Sequence, residues 1–342
     1  MKEKTNKPGF FSAKYILLGL GCLAFVIAFL SGPRVMINTR LQPVILPEDI
    51  EQYVADSESG FDDIVPGAEK KIFWADKQHS RTPFAVIYLH GFSATRQETA
   101  PLSQKVAQRF GANLFCTRLT GHGRDGKAML DGSVNAWLND AAETLKIGQQ
   151  IGEKIIIIGT STGGTIASWL AAQPTARNIA AVILISPNFG PANGMSEILL
   201  WPWGGYLAEL IIGKERGWEP KNPAHGKYWT NRYPTRALLP MMGMVKLTRS
   251  LDLSLIQTPV LVIYSPADQV VDAANIENTF KKFGSKRKQL IPYTGSQDPH
   301  QHVLAGDILS EDSTETLKTM IVDFILKKSP TKDSVKIKFN PD

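Results

Sequence analysis

The sequence predicts an α/β domain in which helices flank a mainly parallel sheet. Short apolar runs rich in β-branched residues alternate with amphipathic stretches, the pattern of repeated βαβ units. The chain has 342 residues, 43% of them hydrophobic, which suits one large core and argues against disorder. One apolar run leads directly into a serine between glycines, as at a strand-turn-helix junction.

The individual elements follow from the spacing of apolar residues. We expect strands at residues 71–74, 84–89, 113–117, 154–159, 181–186, 260–265 and 288–292. Helical spacing predicts helices at residues 99–110, 134–151, 162–172, 273–283 and 314–326. Together these elements predict a domain core from two segments, residues 69–186 and 252–328.

The alternation of strands and helices breaks over residues 187–251. Tryptophans are concentrated there, at Trp201, Trp203, Trp218 and Trp229. A long insertion between two strands of a compact domain is usually functional, so we expect a cap or lid over the site. The alternative is that these aromatic residues only build a small core within the insertion.

The chain begins with features of a membrane segment. Residues 15–30 are apolar and uncharged, and the flanking residues extend the predicted transmembrane signal-anchor to residues 15–37. A removed signal peptide is the main alternative, and a lipoprotein site at Cys22 fits less well. The basic residues 1–14 predict a cytoplasmic N-terminus, with the catalytic domain on the periplasmic or extracellular side. A linker is expected at residues 38–68.

Charge and cysteine content argue against nucleic-acid binding and against cysteine-based sites. The formal net charge of +6 owes much to two ends of the chain: Lys2, Lys4, Lys7 and Lys14, then Lys327, Lys328, Lys332, Lys336 and Lys338. The second group predicts a basic C-terminal tail, residues 329–342, and this distribution does not favour nucleic-acid binding. With two cysteines, Cys22 and Cys116, neither an internal disulfide nor a cysteine-based metal site is expected, and no cofactor is implied.

The junction around Ser161 is a nucleophile elbow. A predicted buried strand ends in the sequence GTSTGG, and a predicted helix follows. The serine occupies a sharp, strained turn, where a side chain two residues away would collide with the neighbouring strand or helix; glycine avoids this collision. The helix N-terminus also favours negative charge developing beside the serine. We therefore expect Ser161 to be a nucleophile.

A second glycine turn is expected at the same edge of the sheet. The strand at residues 84–89 runs into His90-Gly91-Phe92. The N–H groups of Phe92 and Thr162 are then placed to form an oxyanion hole. The imidazole of His90 is expected to brace this loop.

A serine nucleophile needs a base, and the chain offers His79, His90, His122, His225, His300 and His302. In folds with a nucleophile elbow the catalytic residues follow the chain order serine, acid, histidine. Of the six histidines, this order leaves His300 and His302. We favour His302, because Val303 and Leu304 follow it and would anchor its loop; His300 remains the alternative base. The acid is expected at Asp268, after the strand at residues 260–265, whereas Asp272 is expected to cap the next helix.

These motifs resemble the α/β-hydrolase family, and within it the monoglyceride lipase and carboxylesterase group. The resemblance covers residues 69–326 and rests on HGF at His90, GHG around His122, GTSTGG around Ser161, PADQVV around Asp268 and HVL at His302. The threonines on either side of Ser161 depart from the commoner His or Met neighbours.

The resemblance implies a serine hydrolase that cleaves small-molecule carboxylic esters, and the segment at residues 15–37 predicts that it is membrane-anchored. The aromatic insertion favours an apolar acyl group. An acyltransferase or thioesterase would use the same triad. A binding protein on a catalytically retired hydrolase scaffold is the alternative from another class.

Overall fold

The computed structural model describes residues 13–174 and 176–326. Its strands, numbered along the chain, are β1 Lys71–Phe73, β2 Thr82–Leu89, β3 Asn113–Cys116, β4 Gly152–Thr160, β5 Ile179–Ile185, β6 Glu215–Gly217, β7 Arg232–Pro234, β8 Val260–Tyr264 and β9 Lys288–Pro292. The main sheet has seven strands in the order β1-β3-β2-β4-β5-β8-β9. Its β1 pairs antiparallel with β3, and the other neighbouring pairs are parallel. The predicted mainly parallel sheet is confirmed.

Helices cover both faces of this sheet. They are α1 Ala13–Leu30, α2 Ile50–Ser59, α3 Leu102–Arg109, α4 Val134–Ile151, α5 Thr162–Ala171, α6 Gly204–Ile212, α7 Pro223–Tyr228, α8 Leu238–Arg249, α9 Ala273–Lys282 and α10 Thr314–Ile325. The residues of α4, α5, α8 and α9 pack into one hydrophobic core, and those of α3 and α10 pack into a second. This three-layer arrangement is the α/β-hydrolase fold.

The central strand β4 shows why the sheet is buried on both sides. Successive side chains of a strand point to opposite faces. Ile155 and Ile157 belong to one core, and Ile156 and Ile158 belong to the other. All four are fully buried, so the unbroken apolar run predicted from the sequence fills both layers at once.

Parallel pairing brings several loops to one edge of the sheet. The carboxyl ends of β2, β4, β8 and β9 lie along the same edge because these strands run in the same direction. Loops at the carboxyl ends of parallel strands form the usual ligand crevice of open α/β sheets. The loops that carry His90, Ser161, Asp268 and His302 follow these four strands.

The segment predicted as a linker, residues 38–68, contains helix α2. Asp49 caps this helix by accepting a hydrogen bond from the backbone N–H of Gln52 at 2.9 Å. Glu58, near the other end, forms a two-pronged ion pair with Arg118, whose Nε and Nη2 each lie 2.9 Å from a carboxylate oxygen. Only Ile50 and Val54 of the helix are buried, so its apolar pattern is too sparse to be visible in the sequence.

Breaking the Glu58–Arg118 pair is expected to destabilise the fold strongly. The Arg118 side chain is 4% exposed and that of Glu58 is 10% exposed. Glu58→Ala would leave a buried guanidinium without its counter-ion, which costs about 3 to 5 kcal/mol. Urea denaturation measures this loss. The matched control is Glu215→Ala, which removes the exposed Glu215–Arg232 pair and should cost less than about 1 kcal/mol. Equal losses in the two variants would contradict this expectation.

Residues 187–251, all of them described, contribute no strand to the main sheet. They form α6, α7, α8 and a small antiparallel pair, β6 with β7. Helix α8 packs on α5, and its Met242 and Met244 are fully buried in the domain core. By contrast, Leu210 and Ile211 at the end of α6 are exposed.

The predicted transmembrane signal-anchor over residues 15–37 is wrong. Helix α1 ends at Leu30, because a turn at Ser31 and Gly32 and then Pro33 stop it, and residues 33–40 are not helical. Within residues 13–174 and 176–326, no helix is long and apolar enough to cross a membrane. The single-pass topology and the periplasmic or extracellular placement inferred from that segment are therefore wrong as well.

Two further predicted segments lie largely outside the described residues. The structure describes only the last two residues of the predicted basic N-terminus, residues 1–14. The predicted basic C-terminal tail, residues 329–342, lies entirely beyond the described ranges.

Candidate active site

Ser161 lies in a strained turn between strand β4 and helix α5. Its backbone has φ 52° and ψ −119°, a conformation that L-residues rarely adopt. A Cβ at Gly163 would lie 2.0 Å from the carbonyl oxygen of Leu89, and one at Gly159 would lie 2.5 Å from that of Gly163. Only glycine fits at either position, so the flanking glycines let the elbow pack tightly against the end of β2.

Asp268 and His302 meet in loops at the same edge of the sheet as this turn, although 34 positions separate them along the chain. The Nδ1 of His302 lies 2.8 Å from Oδ2 of Asp268, whose side chain is fully buried. The other carboxylate oxygen of Asp268 accepts hydrogen bonds from the N–H groups of Val270 and Val271 at 2.8 and 2.9 Å. These bonds fix the carboxylate, which in turn orients the imidazole.

The surroundings of His302 favour its protonated form. Burial opposes a charge on the ring, but the carboxylate and hydrogen bond of Asp268 outweigh this effect. Glu98 and Asp298 act in the same direction, and the pKa of His302 is raised above its usual value. Such an imidazole holds an accepted proton well, which suits a general base.

The neighbouring His300 has a different environment. It is exposed, and its Nδ1 lies 3.4 Å from Oε1 of Gln269 rather than beside a carboxylate. Asp298 shapes the loop between them: its Oδ2 accepts the N–H groups of His302 and Val303 at 3.1 and 2.9 Å. Asp298 was not predicted as a site residue, because its place three residues after Gly295 in a polar loop is a weak signal.

The N–H groups of Phe92 and Thr162 flank the serine. Neither donates a hydrogen bond to another residue of the described chain. Gly163, next to Thr162, is close to the carbonyl oxygens of Leu89 and His90, so the start of α5 touches the Phe92 loop. Two unengaged amides on adjoining backbone segments are the arrangement that an oxyanion hole requires.

Residues of the insertion cover this edge of the sheet. The N–H of Thr230 donates to the carbonyl oxygen of Ser93 at 2.7 Å, and the ring of Tyr233 meets that of Phe92 edge to face at 5.4 Å. Ser161 is 6% exposed and His302 is 7% exposed. Their side chains are not hydrogen-bonded to each other here, although both residues are described. Catalytic hydrogen bonds of this kind commonly tighten only in the complex with substrate.

The description "Serine aminopeptidase, S33" belongs to a family model that matches residues 81–298, well over half of the chain. The chain belongs to this family. The match extends from the start of β2 to the loop that carries His300 and His302. It includes Asp268 and the elbow at Ser161 but stops just before His302.

Individual relatives of this S33 family member are lipolytic enzymes by name. A thermostable monoacylglycerol lipase from Bacillus sp. (strain H-257) is 27% identical over 229 residues, which are 67% of this chain and 85% of the relative. The resemblance to the monoglyceride lipase and esterase group is thereby confirmed.

Solved structures show the same fold. A structure from a study of the metagenome-derived lipolytic enzymes LipS and LipT has a TM-score of 0.64 and 23% identity, and covers 77% of this chain and 99% of that one. A soluble variant of monoglyceride lipase from Saccharomyces cerevisiae has a TM-score of 0.57 and 17% identity, with coverages of 77% and 92%.

Proposed function

We propose that this chain hydrolyses carboxylic esters through an acyl-enzyme on Ser161, with His302 as base and Asp268 as its orienting acid. The observation that carries the proposal is the 2.8 Å contact between His302 and Asp268, at the same sheet edge as a serine with φ 52°. A strained serine next to an imidazole that a buried carboxylate orients is the arrangement of a serine hydrolase.

The chemistry follows from these positions. Ser161 Oγ attacks the ester carbonyl carbon while Nε2 of His302 accepts the hydroxyl proton. The N–H groups of Phe92 and Thr162 stabilise the resulting oxyanion. His302 then donates its proton to the leaving alcohol, and a water molecule activated by the same imidazole releases the acid. Asp268 keeps the proton of the neutral ring on Nδ1, so that Nε2 faces the serine.

The expected substrate is an ester with an apolar acyl group, such as a monoacylglycerol. The name of the Bacillus relative supports the ester class. The buried Trp229 and Tyr233 above the site support an apolar acyl group, because they exclude water from this edge of the sheet.

Hydrolysis of an ester panel by the full chain tests this proposal. The panel comprises p-nitrophenyl acetate, butyrate, octanoate and palmitate, together with monooleoylglycerol. The p-nitroanilides of the same acids form the matched amide series. We expect turnover of esters and much slower turnover of amides. Preferential cleavage of the anilides, or no turnover of any ester, would overturn the proposal.

The pH dependence of kcat/KM should report the raised pKa of His302. The imidazole acts as a base only when neutral, so kcat/KM is low below its pKa and rises as the pH passes through it. Because Asp268 raises this pKa, the midpoint of the acid limb should lie above the usual histidine value of about 6.5. Steady-state kinetics on p-nitrophenyl butyrate across this range provide the measurement. An acid limb centred below that value would contradict the assignment of His302.

A further inference from the structure

A buried carboxyl group contacts the loop of His90, Gly91 and Phe92, which we call the oxyanion loop. Glu98 is 2% exposed, and its Oε2 accepts hydrogen bonds from the backbone N–H of Gly91 at 2.8 Å and from the hydroxyl of Tyr88 at 3.0 Å. The Tyr88 hydroxyl also lies 3.3 Å from Oγ1 of Thr160, the residue before Ser161. Glu98 and Tyr88 together therefore connect the oxyanion loop to the strand that leads into the serine.

Glu98 also reaches the immediate neighbourhood of the serine. A Cβ on Gly91 would lie 2.5 Å from Oε1 of Glu98 and 3.1 Å from Cβ of Ser161. The carboxyl and the serine side chain thus approach the same face of Gly91. Only glycine fits between them, and glycine is the residue with the greatest backbone freedom.

The peptide that carries the Phe92 N–H is held from its other side. The carbonyl oxygen of Gly91 accepts from Nδ1 of His90 at 2.9 Å and from the N–H of Ala94 at 3.3 Å. His90 is a donor at Nδ1 because its Nε2 accepts the N–H of Leu119 at 3.0 Å. In a trans peptide the carbonyl and the N–H point in opposite directions, so this contact sets the direction of the Phe92 N–H.

We propose that Glu98 is a positioning residue for the oxyanion hole. Its bond to the Gly91 N–H fixes the peptide before Gly91, while His90 and Ala94 fix the peptide after it. With both planes fixed, the freedom of Gly91 is removed and the Phe92 N–H is held in the direction needed to stabilise the oxyanion. This inference rests on the proposed serine hydrolase function.

A hydrogen-bonding role is consistent with the environment of the carboxyl. Burial disfavours the carboxylate, while the bonds from Gly91 and Tyr88 and the nearby His302 oppose that effect, and the pKa of Glu98 is raised overall. No lysine or arginine of the described chain forms an ion pair with Glu98. The neutral amide of a glutamine should therefore be able to take over the hydrogen-bonding role of the carboxyl group.

Glu98→Met and Glu98→Gln test the proposal as a pair. Methionine keeps the volume but cannot accept the Gly91 N–H, whereas the glutamine carbonyl can. We expect Glu98→Met to lower kcat for p-nitrophenyl butyrate by about 10- to 100-fold, the size typical of a misplaced oxyanion donor. KM should change by less than about 2-fold, because the donor acts mainly in the transition state. Glu98→Gln should return kcat to within about 3-fold of the wild type.

The rate constant for phosphonylation of Ser161 by a fluorophosphonate is the second readout. It also passes through a transition state with negative charge on oxygen, and it needs no ester substrate. We expect it to fall with kcat in Glu98→Met and to recover in Glu98→Gln. A wild-type protein that reacts with the fluorophosphonate but hydrolyses no ester would contradict only the proposed function. Failure of the proposed function can therefore be distinguished from failure of the proposed role of Glu98.

Glu143→Ala is the matched control. Glu143 also accepts a tyrosine hydroxyl, that of Tyr53 at 2.8 Å, but it lies in α4 and pairs with Lys70. This variant should be less stable but keep its kcat, when kcat is expressed per fluorophosphonate-labelled active site. If Glu98→Met does not fold, Glu98→Ala takes its place. A kcat per labelled site within 2-fold of the wild type in the Glu98 variant, or no recovery with glutamine, would overturn the proposal.

Discussion

Replacing Ser161 with alanine is expected to lower kcat/KM for esters by at least about 10⁴-fold, because the proposed acyl-enzyme forms on the hydroxyl that this change removes. The fold should persist, since alanine removes only the hydroxyl from a residue whose backbone is held by surrounding contacts. Its N–H donates to the carbonyl oxygen of Ile185 at 2.9 Å, and its carbonyl oxygen accepts from Asn188 at 3.0 Å. Ester hydrolysis, fluorophosphonate labelling and the thermal unfolding midpoint would be measured together.

Ser168→Ala is the matched control for this variant. Ser168 lies on the same helix, α5, is fully buried, and donates its hydroxyl to the carbonyl oxygen of Gly164 at 2.8 Å. It should remain labelled and active, because its hydroxyl faces the helix backbone. Labelling or hydrolysis that survives in Ser161→Ala at the wild-type rate would remove Ser161 from the mechanism.

Replacing each of the two neighbouring histidines with alanine should lower kcat by very different factors. His302→Ala removes the proposed base, and a fall in kcat of at least about 10³-fold is expected. His300→Ala should stay within about 2-fold of the wild type, because surface substitutions away from special contacts have little effect. The structural difference is the contact to Asp268, which His302 makes at 2.8 Å and His300 does not make. Steady-state kinetics on p-nitrophenyl butyrate compare them directly.

Asp268→Asn gives an independent check on the same pair. The amide keeps the shape of the carboxylate but favours the wrong ring tautomer, and losses of about 10⁴-fold follow such changes in serine hydrolases. Comparable activity in His302→Ala and His300→Ala would mean that the proposed base is misassigned. Full activity in Asp268→Asn would exclude an orienting role for that carboxylate.

The sequence predicted the sheet and the elbow because both depend on local properties. The isoleucine run at residues 155–158 is short, β-branched and without a polar face, which favours a buried strand, and the glycines around Ser161 have short-range steric causes. Strand and helix ends were predicted to within a few residues; for example, β9 spans Lys288–Pro292 as expected.

The wrong prediction of a transmembrane segment near the N-terminus also has a local cause. The predicted span counted the apolar residues 15–37 as one segment, but Gly32 and Pro33 interrupt it after Leu30. Hydropathy alone does not register this break. Helix α2 was missed because only Ile50 and Val54 of it are buried in the domain core, and its other contacts with the domain are polar, through Tyr53 and Glu58.

By itself, the sequence determined the α/β class, the elbow at Ser161 and the loops in which an acid and a base would lie. It left His300 and His302 as alternatives, because two residues on one irregular loop carry no periodic signal. In the tertiary structure the rings of the two histidines have different contacts, since His302 contacts Asp268 across 34 positions of the chain and His300 does not. The tertiary structure also brought Glu98 to Gly91 and Asp298 to the histidine backbone. Such contacts depend on how the strands are ordered in the sheet, and local spacing does not encode that order.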